Sequence, residues 1–351
     1  MKGLLFSAIF CLCFPGVMFA MEQQGAYLGA QTSETPNWFK ESFLEFEEDV
    51  AEAAQNNKRV MIYFSQQGCP YCAKLVEENF TDPEIEAFVR KHFDGITINM
   101  WGDREIVSVG GQSFTEKSFA EALKVQYTPT LLFLNEQGQT ILRLNGYYPA
   151  KKFRKALQYA GLKLEKQSSF NEFMLSDQKG SGGQLIAEDF FEKGLNLKGL
   201  LQQSDKPLAL YFESTQCADC KTMHEQILTD LPTRALTQFM HSVQLDVNSD
   251  SMLVTPDGRE ISQQAYAKEL NIGYTPSVVL LDAEGQVVHR IDGFLKTFHF
   301  QSSLAYVLEQ GYIEQPSFQR YLSSRGEKLR EQGFDTNIWG YESAYPAKVS
   351  E

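Results

Sequence analysis

No cluster of lysine and arginine stands out anywhere in the sequence, and acids outnumber bases 45 to 32, for a formal net charge of -13. A surface of that sign repels polyanions, so no nucleic acid is expected as a partner. Long apolar runs are equally scarce. Beyond the first twenty residues no stretch approaches the roughly 18 apolar residues that a membrane-spanning helix needs. Cysteine is sparse as well, six in 351 residues. Two of these, Cys11 and Cys13, fall in the leader, and the other four form two Cys-x-x-Cys pairs. A zinc site built from those four has the wrong layout, because the pairs lie in separate parts of the chain.

The N-terminus has one charge, Lys2, then an apolar stretch from Leu4 to Phe19, then the small Ala20 before Met21-Glu22-Gln23-Gln24. That is a signal-peptide layout over residues 1–20, which places the mature protein in the periplasm or outside the cell, with an uncleaved N-terminal anchor as the alternative. At 351 residues the chain exceeds one compact domain.

The excess length is a duplication. Cys69-Pro70-Tyr71-Cys72 recurs as Cys217-Ala218-Asp219-Cys220, and Thr81-Asp82 as Thr229-Asp230, both 148 positions on. Tyr127-Thr128-Pro129 recurs as Tyr274-Thr275-Pro276, Gly138 as Gly285 and Gly146 as Gly293, each 147 on; Ser169-Phe170 answers Ser317-Phe318 at 148. Each unit opens with an amphipathic helix, 43–55 in the first, and then a β-rich run, 60–64 or 208–212, that leads into the Cys-x-x-Cys. A helix, a second strand (95–99 or 242–246), another helix, a Thr-Pro entering 130–134 or 277–281, a glycine turn, a last strand and a closing helix follow. Strands alternating with helices and one late hairpin predict an α/β fold with a mixed central sheet, formed twice. The expected division is a first domain at 21–176, a Gly/Ser-rich linker at 177–184, a second domain at 185–325, and a tail at 326–351 that is either a docking strap or loose.

A strand, a Cys-x-x-Cys at a helix start and a Thr-Pro entering a strand, in that order and twice over, resemble the thioredoxin superfamily. Asn99-Met100-Trp101-Gly102-Asp103-Arg104-Glu105, the hairpin-like insertion before Phe114-Thr115-Glu116-Lys117, and Gly293-Phe294-Leu295-Lys296-Thr297-Phe298-His299-Phe300 are similar more narrowly to SoxW-type thioredoxin-related proteins of bacterial periplasms. The resemblance implies disulfide exchange, with Cys69 and Cys217 attacking, Cys72 and Cys220 resolving, and Pro129 and Pro276 as cis-prolines beside the sulfurs. Against that pattern, Tyr63 and Tyr211 replace a buried acid, Gly68 and Gln216 replace a tryptophan, and Pro-Tyr and Ala-Asp replace Gly-Pro between the cysteines.

Such chemistry needs a thiolate, a second thiol to release the mixed disulfide, and a surface for an extended client segment. A cysteine in a helix's first turn meets unpaired N–H groups and the positive end of the dipole, which lowers its pKa. Thr128 and Thr275, preceding the prolines, can offer backbone groups to the client. No organic cofactor is called for, since the cysteines carry the electrons. The expected partners are exported proteins bearing thiols or disulfides, and a membrane or soluble thiol electron donor. Reduction, oxidation and isomerisation use the same residues, and a non-catalytic binding or chaperone module with locked disulfides is the competing reading. His224 reads as a packed or half-exposed histidine rather than a metal ligand, Glu213 as solvated rather than a proton acceptor, and Trp101 and Asp103 as loop packing or a partner contact. The charge of Asp219 beside Cys217 and Cys220 predicts a more reducing second site, with electrons passing from it to the first.

Overall fold

The computed structural model describes residues 24–176 and 183–346. The expected leader and most of the Gly/Ser-rich joint lie outside the described residues. Both repeats are mixed α/β lobes. In the first lobe the sheet order is Phe93–Asn99, Arg59–Ser65, Thr130–Leu134, Thr140–Asn145. The first pair is parallel and the others antiparallel. His241–Asp246, Leu208–Glu213, Ser277–Leu281 and Val287–Ile291 repeat that arrangement in the second lobe. Central strands such as Leu208–Glu213 are buried along their whole length because helices cover both faces. The expected insertions are short antiparallel hairpins, Glu105–Val107 with Ser113–Thr115 and Met252–Val254 with Glu260–Ser262.

Two expectations shift at element ends. The first helix runs Phe46–Gln55, because Leu44 turns the chain at φ 64° and leaves Phe43 in solvent. The division expected at residue 325 falls inside the helix Phe318–Glu331. Beyond that helix, Phe334–Asn337 pairs in parallel with Tyr27–Leu28, so the two ends of the described chain share a small sheet.

The outer face of each sheet has its own apolar cluster, around Ile62 and Phe119 in one lobe and Leu210 and Tyr266 in the other. The inner faces share a single cluster. It runs from Tyr63, Cys69 and Tyr127 through Tyr148 to Tyr274, Phe298 and Phe318. Matching positions of the two repeats also make reciprocal contacts. Helix Phe170–Leu175 follows the first lobe but packs on the second, where Asn171 Nδ2 donates to Lys268 O and Glu172 pairs with Lys268. Helix Phe318–Glu331 follows the second lobe but packs on the first, where Gln319 Nε2 donates to Gln126 O and Arg320 pairs with Glu121 at 3.2 Å. The Glu172–Lys268 and Arg320–Glu121 pairs join matching positions of the repeats with their charges exchanged, as in the two-fold interface of a homodimer.

Two disulfide sites and what covers them

Cys69 and Cys217 each cap a helix, Pro70–Lys74 and Ala218–Met223, with extended backbone. Their sulfurs accept the N–H of Cys72 and of Cys220, both at 3.0 Å, so each sits on the unpaired donors of a first turn. Each cysteine is joined in a disulfide to the one three residues on, with Cα–Cα separations of 5.2 and 5.1 Å. Gly68 takes φ 75° in the turn before Cys69, a conformation a tryptophan would adopt only under strain. Thr128–Pro129 and Thr275–Pro276 are both cis. In the first lobe Thr128 O lies 3.4 Å from Cys69 Sγ, and the Thr128 hydroxyl donates to that sulfur at 3.3 Å. In the second lobe the Ser214 and Thr275 hydroxyls face each other at 3.4 Å.

The two sites differ in access. Cys217 is half-buried and lines a cavity of about 250 Å³ with Gln184, Leu185 and Ile186. Cys69, expected to present its sulfur to a client, is only 6% exposed. Tyr71, between the first pair of cysteines, is the reason. Its hydroxyl accepts the Lys296 N–H at 2.8 Å, and its ring meets His299 edge-on at 5.1 Å and Trp339 at 4.9 Å. The second lobe and the C-terminal segment therefore lie over the first site. Lys296 Nζ donates to Trp339 O at 2.6 Å and Thr297 Oγ1 to Tyr341 O at 2.7 Å, which fastens that segment down.

The charge of Asp219, expected beside the second pair, is shared. Tyr274 donates to its carboxylate at 2.6 Å, and Lys152 of the first lobe approaches it at 3.4 Å. The same ammonium donates to Thr275 O at 3.1 Å and sits 3.6 Å from the centre of the Tyr274 ring. Burial pushes the Lys152 pKa down while Asp219 holds it up. The Lys152 ammonium offsets part of the Asp219 charge, which therefore disfavours the thiolates of the second pair less than it would alone.

Glu213 is not solvated; it is buried. The imidazole of His224 lies between its carboxylate, 3.0 Å from Nε2, and Glu188, 2.8 Å from Nδ1. Burial opposes the charge on His224, but the two carboxylates prevail and raise its pKa. Among the described residues no group of three or more His, Cys, Asp or Glu is placed to hold a metal. Trp101 donates to Gln66 at 2.6 Å and carries the Arg320 guanidinium at 5.3 Å, so it bridges the lobes; Asp103 is exposed. Lys152, Glu188 and Trp339 escaped the sequence reading. For Lys152 the repeat held a signal, since it stands 147 residues before His299 and both reach into the opposite lobe's site.

The Thioredoxin-like domain family matches the chain twice, at residues 46–161 and 198–308. The thiol:disulfide interchange protein DsbD of Photorhabdus laumondii is 29% identical over 106 residues, which are 30% of this chain and 17% of that protein. This chain thus spans about a sixth of that relative's length. A thioredoxin-fold protein from Helicobacter pylori is 23% identical, with a TM-score of 0.32 over 35% of this chain and 80% of its own. The C-terminal domain of Neisseria meningitidis DsbD in its oxidised form is 14% identical, with a TM-score of 0.26 over 33% of this chain and 92% of its own.

Proposed function

The chain belongs to the thioredoxin-like domain family, and from that membership and the site geometry we propose that it is a thiol–disulfide oxidoreductase with two redox-active pairs. The observation that carries this reading is the repeated placement of a helix-capping cysteine and its disulfide partner in a lobe whose own strand is led by a Thr–cis-Pro. Two bonded sulfurs three residues apart close a loop too short to stabilise a fold much, whereas an N-capping sulfur is stabilised as a thiolate. In this reading Cys69 and Cys217 attack, Cys72 and Cys220 resolve, and the backbone beside Thr128–Pro129 and Thr275–Pro276 receives the client.

The finer proposal is a reductase of exported proteins, of SoxW type, supplied with electrons by a thiol donor. The leader layout at residues 1–20 supports the periplasmic or secreted location; among the described residues no helix is long and apolar enough to cross a membrane. The half-exposed Cys217 would meet clients first. The burial of Cys69 favours a second reading for the first lobe alone, in which that disulfide is locked and the lobe only binds.

Insulin reduction run beside refolding of a scrambled protein, on the parent and on variants lacking one pair, tests both readings. Turnover of insulin that falls on loss of Cys217 and Cys220 supports the reductase; refolding activity without it points to isomerisation, and neither activity points to a binding module.

A further inference from the structure

His299 belongs to the second lobe, on the closing helix Thr297–Leu308, yet it lines a cavity of about 140 Å³ together with Cys69 and Thr128 of the first. It is buried, and among the described residues its Nδ1 has no hydrogen-bond partner. A buried polar atom left unpaired costs stability, and such an atom on a residue that lines one cavity with Cys69 points to a partner that exists in another state of the site. Reduction by a thiol donor creates that partner, because it converts the Cys69–Cys72 disulfide into two thiols.

The surroundings suit a proton acceptor. The titratable groups facing His299 are the Tyr71 phenol on the site helix, and Tyr127 and Tyr27 across the cavity. Lys296, three residues earlier on its own segment, turns its ammonium to Trp339, and Lys74 lies beyond the same indole at 5.9 Å. Among the described residues no hydrogen bond or ion pair from a carboxylate holds the ring, so burial pushes its pKa down to about 4 and leaves it neutral in the oxidised protein. The equivalent position of the first lobe, Lys152, reaches the second site as a cation instead.

We propose that His299 is the acid–base partner of Cys69, supplied by one lobe to the disulfide site of the other. The inference rests on the reading of the first site as redox-active. In the reduced site the imidazole takes the Cys69 proton, across the cavity or through one water molecule, for which there is room. The Cys69 thiolate attacks a client disulfide; a Cys69–client bond forms, the client S–S bond breaks, and the departing client thiolate takes the proton back from the imidazolium. Cys72 then loses its proton and attacks Cys69, reforming the Cys69–Cys72 bond and releasing the second client thiolate, which takes up that proton. Two electrons pass from the site to the client disulfide.

The test uses the full chain carrying Cys217→Ser and Cys220→Ser, reduced, with iodoacetamide labelling of Cys69 followed by mass spectrometry as a function of pH. His299→Gln is expected to raise the Cys69 pKa by about one unit and slow labelling near pH 6 roughly tenfold, while His92→Gln, at the end of the helix Pro83–His92, leaves the profile unchanged. A profile identical in His299→Gln and its parent overturns the proposal. A variant-free measurement stands beside it: NMR titration of the His299 ring should show its pKa rising when the first site is reduced, and an unchanged titration overturns the proposal equally. A Cys69–Cys72 pair that resists reduction in every protein refutes instead the redox reading beneath it.

Discussion

Asn145 Nδ2 donates to Asp292 Oδ2 at 3.1 Å, and the two residues occupy the same position of the two repeats. A residue that touches its own counterpart marks the axis relating the lobes. The surroundings repeat in detail: Arg143 binds Asn145 and the carbonyl of Leu123, and Arg290 binds Asp292 and the carbonyl of Leu270. The tandem chain is therefore docked as a dimer of its own halves, and each half's closing helix reaches the other's cysteines.

Asp292→Ala removes the acceptor for Asn145 and a partner of Arg290 and should cost about 1–2 kcal/mol of stability. Urea unfolding monitored by tryptophan fluorescence checks this; because the lobes share one apolar cluster, the transition should stay single. Two separate transitions in the parent protein would contradict the docked arrangement.

Acid should weaken the contact between the lobes. His289, in the second lobe, is held against the Tyr127 hydroxyl of the first, and burial pushes its pKa down to about 3. With the folded value below the ordinary 6.5, the fold favours the neutral ring; stability is full above pH 6.5 and is lost as pH falls toward 3. His299 titrates in the same direction. His224 has the opposite sign, since its raised pKa contributes below pH 6.5 and is lost as pH rises through the folded value. Between pH 7 and 4.5 the loss should be on the order of a few kcal/mol, and His289→Asn should flatten the acid limb.

Lys152→Met should leave the Asp219 carboxylate, among the described residues, with only the Tyr274 hydroxyl. A less screened anion beside Cys217 and Cys220 disfavours their thiolates and makes the second pair more reducing, by roughly 15–30 mV. Glutathione equilibration in a Cys69→Ser, Cys72→Ser background reads the shift. A potential that is unchanged or higher would contradict this role for Lys152.

The C-terminal segment should protect the first site. Trp339→Ala, or removal of residues 334–351, takes away the indole packed on Tyr71. Labelling of reduced Cys69 should then accelerate on the order of 10- to 100-fold, the equivalent of about 1–3 kcal/mol less for local opening. Mass spectrometry after timed alkylation gives the rates, with Cys217 labelling as the internal reference.

Much of this was legible in the residues. The repeat markers fixed two α/β lobes, and the strand-to-cysteine spacing placed Cys69 and Cys217 at helix starts, because local geometry depends on neighbours in sequence. What covers each site was not legible. His299 lies 230 residues from Cys69 and Lys152 lies 65 from Cys217, each brought to the other lobe's site by a contact between lobes, and no periodicity reports such a contact. Glu213 looked solvated because His224 and Gln244, which satisfy its carboxylate, come from two other segments. The tail could not be assigned because its strand pairs with residues at the opposite end of the chain.

Thiol trapping of the full-length folded protein across a graded glutathione series, with each cysteine followed by mass spectrometry, tests most directly whether both pairs are redox-active. Both disulfides should open while the chain stays folded, Cys217 labelling first and Cys69 more slowly. A pair that stays closed until the protein unfolds would contradict the catalytic role of its lobe.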